Sequence, residues 1–157
     1  PLDLMAAGTA LGRGLNLIYT RMFLASLRSK SLHKLERYPG LFDRARMLAA
    51  RTLREFDDVV TAPLHGFRDS DDYWTRASAK PVLAGVRVPA LVLNSRNDPF
   101  LPASCLPRPE DVSAAVQLER PEEGGHAGFA GGAFPGNLDW LPLRLLAFFG
   151  SHLHPVR

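Results

Sequence analysis

Apolar positions at helical spacing fill the first half of the chain, and short apolar runs bounded by proline and glycine fill the second. Leu15, Ile18, Tyr19, Met22 and Phe23 recur at three- and four-residue intervals, which predicts an amphipathic helix with these side chains on its buried face. The helix is expected to run to about Arg37, because Tyr38-Pro39-Gly40 is a stop signal. Phe42, Ala45, Ala49, Leu53, Phe56 and Val60 repeat the spacing and predict a second helix, with Asp43 as its N-cap or first-turn acid. A polar stretch through His65-Gly66-Phe67 then leads to Asp71-Asp72-Tyr73-Trp74, the start of a short helix. The first 80 residues therefore read as a helical layer without strands.

The pattern changes at Pro89. Residues 90–94 form a short apolar run closed by Asn97-Asp98-Pro99, which fits a strand of a parallel sheet buried on both faces. Val112, Ala114, Val116 and Leu118 alternate with Asp111, Ser113, Ala115 and Gln117, predicting a second strand over 112–120. Pro99 to Glu110 between them is about the dozen residues that a parallel crossover needs. A glycine-rich loop, 123–132, surrounds His126, and Leu138 to His152 reads as an apolar closing helix. The expected division is a helical region, 1–88, followed by an α/β segment, 89–157. Two strands buried on both faces need further strands beside them, so they are expected either to complete a sheet begun upstream or to form a small ribbon in a mainly helical protein.

Composition narrows the class. At 157 residues, 46% hydrophobic and 22% charged, the chain is globular rather than disordered. A single cysteine excludes a disulfide framework and a thiolate zinc site. No apolar run reaches the ~20 residues of a membrane-spanning helix and no signal-peptide pattern opens the chain, so a cytoplasmic location is expected. Because the first residue is Pro1, the chain is expected to be a fragment of a longer one. Residues 1–50 carry eight Lys/Arg against three Asp/Glu, and the remainder eleven against thirteen. The basic charges are spaced singly, as on a solvated helix face, and no nucleic-acid motif accompanies them; nucleic acid is not an expected partner.

Candidate chemistry gathers at the predicted strand ends. Asp98 follows the first strand and His126 the second, and consecutive parallel strands would bring them to one sheet edge, where catalytic groups collect. An Asp that accepts from one imidazole nitrogen fixes the tautomer and makes the other nitrogen a competent base. No Gly-x-Ser-x-Gly occurs in the chain. Cys105 in the crossover reads as a buried small hydrophobe. Glu55, Asp57 and Asp58 lack metal-ligand spacing and read as polar anchors of the helical region to the sheet edge. His65, Phe67, Tyr73 and Trp74 either line a substrate pocket or form the helical region's packing surface. His33 reads as a helix-surface residue, and His152 with His154 as a terminal pair too weak to argue a metal. No cofactor is expected.

Arg54-Glu55-Phe56-Asp57-Asp58, Thr61-Ala-Pro-Leu-His65-Gly66-Phe67, Asp72-Tyr73-Trp74, Asn97-Asp98-Pro99-Phe100 and Gly124-Gly125-His126-Ala127-Gly128-Phe129 follow in order. This succession resembles the C-terminal half of the YheT-like α/β-hydrolases. The resemblance implies carboxylesterase activity on a small ester or lipid-like substrate through a Ser-Asp-His relay, with Asp98 and His126 matching the acid and base. It also implies a helical cap over about 10–80, the last two strands of the sheet at 90–94 and 112–120, and a serine, an oxyanion hole and about six strands upstream. Two other readings are a non-catalytic helical module that binds a partner or membrane surface through its basic third, and a catalytically dead remnant of the hydrolase fold.

Overall fold

The computed structural model describes residues 1–152, and its contacts divide the chain into a helical unit, Pro1–Ser78, and a second unit from Ala79 onward. In the helical unit, α1 (Leu4–Leu11) starts where the Asp3 carboxylate accepts from the Ala6 N–H at 2.9 Å and Ser78 Oγ accepts from the Leu4 N–H at 2.9 Å. A short 3-10 turn (Gly14–Asn16) leads into α2 (Leu17–Arg37), which ends before Pro39 as expected. Asp43 caps α3 (Arg44–Ala49) by accepting from the Arg46 N–H.

The single second helix expected from the spacing is broken. The backbone turns extended at Ala50, and Thr52 starts a new helix by accepting from the Glu55 N–H at 3.1 Å. That helix, α4 (Leu53–Phe56), continues through a π-helical turn (Asp57–Thr61) into α5 (Ala62–Leu64), and α6 (Ser70–Arg76) follows, capped by Asp69. The apolar positions still converge across the break: Leu24, Met47, Ala50, Phe56 and Val60 form the buried core, with Leu27, Phe42 and Leu53 against it.

The expected buried face of α2 is reversed. Ile18 and Met22 are exposed at 57% and 63%, whereas Thr20, Leu24 and Ser31 point inward. Leu24 joins the core, and Thr20 buries its hydroxyl by donating to the Leu11 carbonyl at 2.7 Å.

In the second unit, β1 (Ala90–Leu93) and β2 (Val116–Glu119) pair in parallel, with Leu91 opposite Gln117 and Leu93 opposite Glu119. β2 starts later than the alternation predicts. Ser113 is engaged elsewhere, its N–H donating to the Leu83 carbonyl at 3.2 Å and its hydroxyl to the Val86 carbonyl at 2.5 Å. β1 is half-buried throughout rather than buried on both faces, because β2 is its only partner strand among the described residues. The crossover carries two 3-10 turns, Ala103–Cys105 and Pro109–Asp111, and Cys105 is half-buried, not the enclosed hydrophobe expected.

The closing helix, α7 (Trp140–His152), begins two residues later than expected. Arg144 ties it to β2 through a two-pronged ion pair with Glu119, a geometry that matches the planar guanidinium to the carboxylate. Phe148 is buried, while Leu143, Leu146 and Phe149 lie exposed. No helix among the described residues is long and apolar enough to cross a membrane.

Candidate active site

The parallel ladder extends past the ends of its strands. The Asn94 N–H donates to the Glu119 carbonyl at 3.1 Å and the Arg96 N–H to the Pro121 carbonyl at 2.8 Å. The two outgoing segments therefore leave the sheet side by side, and the loops they enter, one bearing Asp98 and the other His126, stay in register at the strands' C-terminal edge.

There His126 Nδ1 lies 2.9 Å from Asp98 Oδ2. The two partners sit in opposite environments: the Asp98 side chain is 1% exposed and the His126 side chain 59%. Asp98 Oδ1 accepts from the Phe100 N–H at 2.8 Å, so the carboxylate is oriented by its own turn as well as by the imidazole. The Phe100 ring packs against the imidazole, 4.8 Å between centroids. With Nδ1 committed to Asp98, a neutral imidazole carries its proton there and presents Nε2 as an acceptor.

The loop bearing His126 is shaped by two close approaches. The Phe129 N–H donates to the Gly124 carbonyl at 2.8 Å, closing the loop beneath His126. A Cβ on Gly124 would stand 2.5 Å from two Phe129 ring carbons and 3.0 Å from Ser95 Cβ, so only glycine fits. Phe129 is itself buried and stacked on Trp140 at 5.2 Å, which fastens the loop to the start of α7. Gly125 has φ +61, a left-handed conformation that glycine adopts without steric cost.

Two residues given no role in the sequence expectations complete this corner. Ser95, 1% exposed, donates its hydroxyl to the Gly125 carbonyl at 2.5 Å, and Asn97 Oδ1 accepts from the Gly125 N–H at 2.9 Å. Asn97 belongs to the Asn97-Asp98-Pro99-Phe100 motif, whereas the sequence signal for Ser95 is its proximity to Asp98.

Glu55, Asp57 and Asp58, expected as polar anchors, bond to groups of the helical unit. Glu55 accepts from the Arg51 N–H at 2.7 Å, Asp58 from the Ser70 N–H at 2.7 Å, and Asp57 from Trp74 Nε1 at 2.7 Å and Thr61 Oγ1 at 2.5 Å. Burial raises the Asp57 carboxyl above its ordinary value, opposed by the two donors that hold it and aided by neighbouring Asp58. Trp74 is buried against Gly8 under the Arg54 guanidinium, and Phe67 meets Tyr73 with Arg76 over the Phe67 ring. His65 borders a cavity of about 270 Å³ in the helical unit with Leu27, Lys34 and Phe56. Its carboxylate-free lining offers no relay. His33 is exposed on α2, His152 packs on Phe148, and His154 lies outside the described residues. No three His, Cys, Asp or Glu side chains among the described residues gather as a metal site.

No protein-family model and no solved structure matches the chain. It is 34% identical over 155 residues to the Escherichia coli (strain K12) protein named Putative esterase YheT, covering 98% of this chain and 46% of that one. It is 32% identical over 132 residues to the human Phospholipase ABHD3, covering 83% of this chain and 32% of that protein. The human Monoacylglycerol lipase ABHD2 is 32% identical over 104 residues, or 63% of this chain and 24% of its own length. The chain thus spans less than half the length of the curated relatives it matches.

Proposed function

Because this chain belongs to the YheT-like α/β-hydrolase family, we propose that it is the C-terminal part of a serine hydrolase of carboxylic esters, with Asp98 and His126 as acid and base. The observation that carries this reading is the 2.9 Å approach of His126 Nδ1 to a buried Asp98 carboxylate at the edge where two parallel strands end. The chain order agrees, since α/β-hydrolases run Ser, then Asp, then His, and no Gly-x-Ser-x-Gly occurs in these residues. The nucleophile and the oxyanion hole therefore belong to the N-terminal part of the full-length protein. The half-buried β1 and the exposed Leu143 and Leu146 of α7 suit a sheet and helix layer continued by that part.

The residues of this chain would act in sequence. His126 Nε2 takes the proton of the attacking serine while Nδ1 keeps its hydrogen bond to Asp98. The buried carboxylate stabilises the imidazolium and prevents the ring from rotating away. His126 then hands the proton to the departing alcohol, accepts another from the incoming water and returns it to the serine as the acyl group leaves. The names of the phospholipase and monoacylglycerol lipase relatives favour an acyl ester of a lipid-like alcohol as the substrate class.

A fluorophosphonate probe applied to the full-length protein tests the reading. We expect one serine to be labelled, and His126→Ala to abolish labelling while thermal unfolding is unchanged. Undiminished labelling of the His126→Ala protein would remove His126 from the role of base.

A further inference from the structure

We propose that Ser95 and Asn97 are positioning residues that set the His126 imidazole against Asp98 by clamping the Gly125 backbone; this rests on the reading of His126 as the base. The loop tip, His126 to Gly128, is exposed; Phe100 and Asp98 touch the imidazole itself, and the backbone that carries the ring is held by hydrogen bonds on either side. On the far side, Phe129 is buried and bonded to the Gly124 carbonyl. On the near side, both polar groups of Gly125, the residue before His126, are taken by the segment that bears the acid: the Ser95 hydroxyl donates to the carbonyl and Asn97 Oδ1 accepts from the N–H.

Acid and base are thereby referenced to one another through two short connections. Asn97 immediately precedes Asp98, and Gly125 immediately precedes His126. A displacement of either loop along the sheet edge must break the Ser95 or the Asn97 bond before it can change the Nδ1–Oδ2 distance. Ser95 is also seated beneath Gly124, whose missing Cβ leaves room for its own. The clamp leaves Nε2 untouched. It therefore acts on the orientation of the base and not on substrate binding.

The test is ester hydrolysis by the full-length protein carrying Ser95→Ala, Asn97→Ala or Asn97→Asp, with proton NMR of the His126 Nδ1–H resonance. Both alanine variants should lose about 100-fold in kcat with KM nearly unchanged, the scale that a displacement of about 1 Å imposes. Their Nδ1–H resonance should shift or broaden. Asn97→Asp keeps the acceptor for the Gly125 N–H and should recover most of the loss. The proposal is overturned if the alanine variants retain kcat and the wild-type resonance, if the loss falls on KM, or if aspartate rescues no better than alanine. Should the buried Ser95→Ala protein fail to fold, the exposed Asn97 pair decides the matter by itself. Retained hydrolysis in His126→Ala would instead remove the catalytic reading, and the resonance of the alanine variants would still report whether the clamp holds the ring.

Discussion

Gly124 and Gly125 are adjacent, yet replacing each by alanine is expected to fail for different reasons. A Cβ at 124 would sit 2.5 Å from two carbons of the Phe129 ring, about 1 Å inside the separation at which carbon atoms rest comfortably. Phe129 has little room to yield, because it is buried, stacked on Trp140 and held by the Gly124 carbonyl. Overpacking of this kind costs about 1–3 kcal/mol, of which loss of the stack would account for roughly 0.5–1.5 kcal/mol. Relief by moving the loop displaces His126, which lies between the two contacting residues, and about 1 Å there is worth about 100-fold in rate. At Gly125, by contrast, a Cβ would meet nothing within 4 Å. Its cost is the left-handed backbone alone, about 1–2 kcal/mol, with Phe129 undisturbed. Urea unfolding and steady-state ester hydrolysis on full-length Gly124→Ala and Gly125→Ala separate the two. Both should lose stability, and Gly124→Ala should lose far more kcat. Wild-type rate in Gly124→Ala, or an equal loss of kcat in both, would refute the steric argument.

Two further predictions concern the helical unit. Gly8→Ala places a Cβ 2.5 Å from the buried Trp74 ring and should destabilise the unit by about 1–3 kcal/mol, read as a lower urea midpoint; an unchanged midpoint would show that Trp74 moves at no cost. Asp57 gives a pH signature. Burial holds its carboxyl above the ordinary 3.8, so the folded state binds the proton more tightly than the unfolded chain. Its contribution to stability is therefore fully present below 3.8 and is lost as pH rises through the raised folded value. Asp57→Asn, which can still accept from Trp74 Nε1, should gain on the wild type as pH rises across that window, and parallel unfolding profiles for the two proteins would contradict it.

How far these features were legible in the sequence depended on whether their cause was local. Asp43 and the Tyr38-Pro39-Gly40 stop act within a few residues, and both ends of α2–α3 lie where those signals put them. The short run at 90–93 between Pro89 and Asn97-Asp98-Pro99 is likewise a strand, parallel to the next. Periodicity located the apolar stripe of α2 but not what covers it. The inward side is set by Leu24 against Met47 and by the Thr20 hydroxyl reaching Leu11, contacts that no spacing reveals. The break at Ala50–Thr52 was hidden because the apolar residues keep helical spacing straight through it. The start of β2 depended on Ser113 bonding to the Leu83 and Val86 carbonyls, and the clamp on Gly125 on Ser95 and Asn97 reaching across about 30 residues. Polar contacts over such distances leave no periodic trace, whereas Asp98 and His126 announce themselves by residue type and by position after a strand.

The central claim is that Asp98 and His126 work as one acid–base unit in ester hydrolysis, and the most direct test of it is kcat for the full-length protein with Asp98→Asn. Asparagine keeps the volume in a site with 1% exposure and can still accept from the Phe100 N–H, so folding should be preserved. It removes the charge that stabilises the imidazolium and favours the wrong tautomer, and kcat should fall by about 10⁴-fold with KM little changed. Retention of wild-type kcat in a folded Asp98→Asn protein would contradict the account.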